Sequence, residues 1–180
     1  MSTDAATELA LAARAGDQAA VSLLVRATQQ QVWRFCAHLV DPAAADDLTQ
    51  ETYLRAFRTL RSFRGDGSAI SWLLTIARRV AADEIARRQR RSRLQTELES
   101  HAPEALSDHA GLTAVEVLVA GLAEDRRSAF VLTQVLGFSY EEAAAVCDCA
   151  TGTIRSRVAR ARAELVGALA EDGRVAQRAS

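Results

Sequence analysis

Strand-like alternation of apolar and polar residues is nearly absent along this chain, and with nine glycines and two prolines there is little to interrupt a helical period. The pattern predicts an almost entirely helical protein. A first helix is expected over Thr7 to Ala15, with Gly16 as its stop and Asp17 placed to cap the next. From Gln18 to Val40, the residues Val32, Phe35, Cys36, Leu39 and Val40 form the stripe of a core-facing helix. Asp41-Pro42 reads as a cap followed by proline at the first helical position. The helix after it has two faces. Tyr53, Ala56, Phe57 and Leu60 make the apolar stripe, and Asp47, Gln50, Glu51, Leu54 and Arg58 make the other.

Phe63 to Ser68 contains two glycines and reads as a loop. A helix from Ala69 to about Arg91 follows, with Leu73, Ile76, Ala77 and Val80 directed inward. Residues 92–111 hold Pro103, His101, His109 and several acids without an apolar period, which predicts a flexible linker between two small domains. Helices are expected near Leu112 to Leu122 and Glu124 to Leu136, then two short ones, and the tail 171–180 is expected to be disordered. The fold class is therefore all-α, with domains at 1–91 and 112–170. Each domain has a modest core, since units of roughly 70 residues bury only about 60% of their chain surface.

Charge changes this picture more than composition does. The formal net charge is −1, which on its own discourages a nucleic-acid partner. All 22 basic residues are arginine, and they are not evenly spread. Ile76 to Arg93 carries seven arginines against two acids, Leu94 to Asp125 carries seven acids and no base, and Thr151 to Arg162 carries four arginines and no acid. Two basic blocks thus flank an acidic one. No apolar run approaches the roughly 20 residues of a membrane span, and Met1 to Ala10 lacks the features of a secretory signal. A cytoplasmic protein is expected. Cys36, Cys147 and Cys149 cannot all pair with one another, so a disulfide scaffold is not expected.

The most specific local pattern is Gly137 to Leu165. Ser139-Tyr-Glu-Glu142 has capping-box spacing, Cys147-Asp-Cys-Ala150 makes a tight turn, and Ile154, Val158, Ala161 and Leu165 line one side of the helix that follows. Thr153, Arg155, Ser156, Arg157, Arg160 and Arg162 occupy the rest of that helix. Two short helices, a brief turn and an arginine-bearing second helix form a helix-turn-helix suited to the DNA major groove. Arginine forks bind guanine edges or phosphates, and serine reaches either. The plainer alternative is a solvated helix hairpin.

Asp46-Asp-Leu-Thr-Gln-Glu-Thr-Tyr-Leu-Arg-Ala56, Phe63-Arg-Gly-Asp66 and Trp72-Leu-Leu-Thr-Ile-Ala-Arg78 closely resemble domain 2 of the extracytoplasmic-function (group IV) sigma factors. Leu122-Ala-Glu-Asp-Arg126, Gly137-Phe-Ser-Tyr-Glu-Glu142, Gly152-Thr-Ile-Arg-Ser-Arg157 and Arg160-Ala-Arg162 resemble domain 4 of the same family, in the same order. The wording of Ala27-Thr-Gln-Gln30, Val32-Trp-Arg-Phe35 and Val146-Cys-Asp-Cys149 is similar to the mycobacterial sigma-factor-C subgroup.

The resemblance implies a transcription initiation factor that brings RNA polymerase core to promoters, not an enzyme. It assigns Asp47, Gln50, Glu51, Leu54 and Arg58 to the clamp coiled coil of the β′ subunit. It assigns Phe63, Arg64, Gly65, Asp66 and Ser68, with Arg78, Arg79, Arg87, Arg88, Arg90 and Arg91, to opening the −10 element. Phe63 and Trp72 have the character of core residues more than of base-stacking ones. The recognition-helix residues named above would read the −35 element near the β flap. Two departures bear on this: Arg79 stands where the family often has asparagine or histidine, and Ala159 where relatives carry a larger side chain. The partners implied are polymerase core and promoter DNA, and an anti-sigma factor is common in the family. The free protein is expected to be monomeric, without membrane, metal or cofactor. The acidic linker is expected to mimic nucleic acid in the polymerase RNA path. The rival readings are a helix-turn-helix regulator acting without holoenzyme and a cysteine-based redox or metal sensor.

Overall fold

The computed structural model describes residues 3–98 and 113–178. Eight α-helices occupy them: α1 (Thr3–Arg14), α2 (Gln18–Leu39), α3 (Pro42–Thr59), α4 (Ala69–Leu98), α5 (Ala114–Gly121), α6 (Glu124–Phe130), α7 (Tyr140–Cys147) and α8 (Thr151–Arg178). A 3₁₀ turn, Leu60–Ser62, follows α3, and a π-helical turn, Val131–Val135, continues α6. No strand occurs among the described residues, and no described helix is long and apolar enough to cross a membrane.

The punctuation written in the sequence operates as expected. Gly16 turns the chain at φ +105°, and the Asp17 carboxylate accepts from the amides of Ala19 and Ala20 at 2.8 and 3.1 Å to start α2. Asp41 accepts from Ala44 N at 2.8 Å, with Pro42 opening α3. Ser139 with Glu142 completes the expected reciprocal capping box, and Thr113 with Glu116, not singled out in the sequence, completes a second.

Three element boundaries differ from expectation. α1 begins four residues early, at Thr3. α4 runs through Arg91 to Leu98, because no glycine or proline stops it, so the linker begins later than residue 92. α8 continues to Arg178, past the start of the tail expected to be disordered. Pro103, His101, His109 and the acids between 99 and 112 lie outside the described residues, as does the part of the linker to which the mimicry expectation was attached.

The larger departure concerns packing. A small core gathers Ala6, Ala10 and Ala13 of α1 with Leu24, Leu60, Phe63 and Ala69. The main core does not stop at the domain boundary. It runs from Phe35, Leu39, Leu73, Leu74 and Val80 in the first unit to Val119, Leu132, Val146, Ile154 and Val158 in the second. The two units are packed together, chiefly through α4 against α7. Burying apolar surface between them supplies what neither small core has alone.

Candidate nucleic-acid interface

The α3 face forms because Leu48, Thr52, Tyr53 and Ala56 turn inward and leave the opposite side to solvent. Tyr53 is fixed by a 2.7 Å hydrogen bond between its hydroxyl and that of Thr28. Burial drives the Tyr53 phenol up to about 12, the Thr28 bond opposing it. Asp47, Gln50, Leu54 and Arg58 are exposed together, with 53% of Leu54 open to solvent. Glu51 is half-buried and accepts from Arg55 Nε at 2.7 Å, while Arg55 Nη1 donates to Asp83 of α4 at 2.7 Å. The predicted face therefore exists as one surface with a single apolar knob. The sequence reading missed Trp33 of α2, which borders this surface and donates from its indole nitrogen to Asp46 at 2.8 Å. Its signal was present: Trp33 falls off the Val32, Phe35, Leu39 stripe and is exposed.

The loop after α3 divides into anchors and tip. Phe63 is buried, its ring 4.9 Å from that of Trp72. It belongs to the core and not to a DNA-contacting surface, which corrects its place among the −10 residues. Gly65 has φ +79°, a region that favours glycine. Arg64 and Asp66 are exposed and Ser68 is half-buried. The loop edges a cleft of about 540 Å³ that also includes Ser71, Trp72 and Thr75 of α4. The Ser68 and Ser71 hydroxyls are buried there without a hydrogen-bond partner.

The α4 arginines fall into two groups. Arg79, Arg90 and Arg91 are exposed. Arg87 and Arg88 both grip Glu84, at 2.7 Å each, and Arg88 also pairs with Asp41 at the α2–α3 corner. Burial alone would raise the Glu84 carboxyl, but the hydrogen bonds from Arg88 and Arg87 outweigh it and hold the group low. Arg78 is half-buried, its Nε without a partner, close enough to Cys147 of α7 to act on that thiol. Arg87 and Arg88, although exposed, are thus paired with acids of the protein, and Arg78 is half-buried, unlike Arg79, Arg90 and Arg91, which are exposed and unpaired among the described residues.

In the second unit, Asp148 takes the left-handed conformation, φ 51°, at the turn between α7 and α8, which short polar residues tolerate. Ile154, Val158 and Ala161 are buried, leaving Arg155, Ser156, Arg160 and Arg162 exposed along α8 and Thr153 half-buried. Ser156 Oγ donates to the Thr153 carbonyl at 2.9 Å. Arg157 departs from the predicted surface: it is half-buried, donating to Asp125 at 2.6 Å and to Cys149 Sγ at 3.6 Å. Arg162 reaches Gln134 at 2.6 Å. All three cysteines are unpaired thiols. Burial raises the Cys36 and Cys147 thiols to about 11, a range that keeps them protonated. Among the described residues no three His, Cys, Asp or Glu side chains gather as a metal site.

At the junction of the units, Glu141, Glu142 and Ala145 of α7 close one side of the loop cleft. Carboxylates at that rim repel a phosphate backbone. Arg127 ties the units elsewhere, donating to the carbonyls of Leu39 (2.5 Å), Leu122 (3.0 Å) and Ala120.

The Sigma-70 region 2 family model matches residues 24–91 and the Sigma-70 region 4 model matches 112–165. The chain is 51% identical over 170 residues to the ECF RNA polymerase sigma factor SigC of Mycobacterium tuberculosis, covering 91% of this chain and 90% of that protein. It is 36% identical over 162 residues to the sigma-E factor of Escherichia coli K12, covering 82% and 85%. Among solved structures, it superposes on CnrH in complex with the cytosolic domain of CnrY (TM-score 0.73, 27% identity, 93% and 99% covered). It also superposes on the sigma factor RpoE bound to the anti-sigma factor NepR from Bartonella quintana (TM-score 0.66, 30% identity, 82% and 95% covered). Relatives this similar over most of the chain, with the region 2 and region 4 models both matching it, place the chain in the extracytoplasmic-function family of sigma-70 factors.

Proposed function

We propose that this protein directs RNA polymerase core to specific promoters, with the three surfaces dividing the work. The α3 face, through Leu54 ringed by Asp47, Gln50 and Arg58, docks on the β′ clamp coiled coil. The exposed loop residues and Arg79, Arg90 and Arg91 engage the −10 element as it opens. Arg155, Ser156, Arg160 and Arg162 of α8 meet the −35 element in duplex form. Phosphodiester chemistry stays with the polymerase, in the cytoplasm. A protein of the class seated on CnrH and RpoE in their solved complexes is the third proposed partner.

The observation that carries this reading is the arrangement of α8, whose exposed arginines lie opposite the buried Ile154, Val158 and Ala161 immediately after a capped α7 and a left-handed turn. DNA engagement also requires the loop cleft to part from Glu141 and Glu142, which supplies a physical reason for weak binding to DNA without polymerase. Run-off transcription with purified core polymerase on a fragmented genomic library tests the proposal. Discrete transcripts that depend on this protein are expected. Their absence, with active core and a working control factor, refutes it, and a footprint on duplex DNA without core favours a stand-alone regulator.

A further inference from the structure

We propose that α1 is the positioning element of the Phe63–Ser68 loop, with Thr7, Leu11 and Arg14 as its three points of hold. This rests on the reading of that loop as a −10 surface. The region 2 match begins at residue 24, so α1 lies outside the residues that this family model matches.

Three contacts of different kinds converge on one short stretch. Arg14 Nη1 donates to the Phe63 carbonyl at 2.7 Å, fixing the backbone where the loop leaves the 3₁₀ turn. The Ala69 amide, first in α4, donates to Thr7 Oγ at 3.0 Å, so a residue 62 positions away caps that helix at the loop's far end. Between them, a β-carbon at Gly65 would stand 3.1 Å from Leu11 Cδ2, so the loop backbone rests directly on the Leu11 side chain. Ala6, Ala10 and Ala13 allow α1 to lie close beneath, and Phe63 and Ala69, the two ends of the loop, are both buried in the small core that α1 completes.

This arrangement leaves Arg64, Asp66 and Gly67 exposed at the tip while both ends are held. A loop that captures an unstacked base gains affinity when its bound shape is prepared beforehand, because the ordering cost is then met during folding. α1 supplies that preparation without touching the cleft.

The test uses full-length protein assembled with core polymerase on a promoter recovered by run-off, reading permanganate reactivity of −10 thymines and, separately, affinity for core. Arg14→Ala is expected to lower the opened fraction about tenfold or more, the worth of one hydrogen bond from a charged donor. Core affinity is expected to stay within about twofold, since α3 is untouched. Arg14→Lys, which retains a donor, is expected to regain most of the opening. Leu11→Ala is expected to lower opening in the same direction. On a template already unpaired at −10, the same variants are expected to bind less tightly, because the loop's shape is what they disturb.

Normal opening by both Arg14→Ala and Leu11→Ala overturns the role of α1, as does loss of core affinity in step with loss of opening, which marks general unfolding. A loop variant, Arg64→Ala with Asp66→Ala, separates the two claims. If it opens DNA poorly while the α1 variants open it well, only the α1 proposal fails. If it too opens DNA normally, the reading of the loop as a −10 surface fails.

Discussion

Arg127→Ala should open the protein. Arg127 stands where α2 and α5 end, and its guanidinium donates to carbonyls of both: Leu39 in the first unit, Ala120 and Leu122 in the second. Helix C-termini carry partial negative charge and unmet carbonyls, so one cation there satisfies two helices at once. The side chain is half-buried, and burial lowers its pKa against the opposing charge of Glu124. Of the three bonds, only the one to Leu39 crosses between units. A hydrogen bond from a charged donor contributes about 1.5–3 kcal/mol. Its loss should therefore shift the balance between packed and separated units by about ten- to a hundredfold. The two bonds within the second unit should cost that unit thermal stability as well. Small-angle scattering reads the separation and calorimetry the stability, with Arg157→Ala as a control that breaks ties to Asp125 and Cys149 inside the second unit only. The expected result is a larger radius of gyration for Arg127→Ala and an unchanged one for Arg157→Ala, both with lowered Tm. A variant that loses stability while its radius stays fixed would refute the assignment of Arg127 as the tie between units.

Four other outcomes are expected. Leu54→Ala should weaken core polymerase binding about tenfold, as loss of an interface knob does, with Tm unchanged because Leu54 is exposed; anisotropy with labelled protein measures it. Arg155→Ala and Arg160→Ala should each reduce −35 duplex binding by holoenzyme, and whichever contacts phosphate should lower the salt slope by about 1. The reverse order, with Arg157→Ala the most damaging to DNA binding at unchanged Tm, would contradict the engaged geometry of Arg157. His38 is held below its ordinary pKa by burial, with Glu116 opposing and Arg34 assisting. A depressed histidine binds its proton less well when folded, so stability should fall as pH drops through about 6.5 and below, a loss that His38→Gln should reduce in thermal melts at pH 7.5 and 5.5. Iodoacetamide at pH 8 should modify half-buried Cys149 well before Cys36 and Cys147, whose thiols stand near 11; equal rates by mass spectrometry would reopen a sensor reading.

Local signals were legible where a single residue type decides the backbone. Asp17, Pro42, Ser139 and the Val32–Leu39 stripe declared their helices because caps and periodicity act within a turn or two. The exposed faces of α3 and α8 followed from the same periods. What escaped depended on distant chain segments meeting. Nothing near Arg127 announces Leu39, nothing near Thr7 announces Ala69, and Phe63, which reads more as a core ring than a stacking one, is settled only by Trp72 beside it. In α4 two of the arginines assigned to DNA by their density, Arg87 and Arg88, and in α8 Arg157, proved paired with acids, because density along a chain does not show which acid stands opposite.

That occupation gives the net charge of −1 a structural meaning. The acids are not merely averaged against the arginines; several are placed on them. Asp41 and Glu84 hold Arg88 and Arg87, Asp125 holds Arg157, and Glu164 lies 3.1 Å from Arg126. Each pair at the surface is weak alone and weaker in salt. Together with Glu141 and Glu142 beside the loop cleft, they set DNA phosphates in competition with carboxylates already in position. Phosphate binding then gains little from those arginines until their partners move. The exposed arginines 155 and 160 carry no such competitor among the bonds described, so duplex contact by α8 should be the less costly step. Contact by the loop and α4 should follow only when the units part. Clamp docking through α3, a face that neither α7 nor Arg127 covers, is able to come first. Holding the units together by a cysteine cross-link between α4 and α7 should therefore preserve polymerase binding while abolishing −10 opening, and restoration of opening on reduction would confirm that order; opening by the cross-linked protein would refute it.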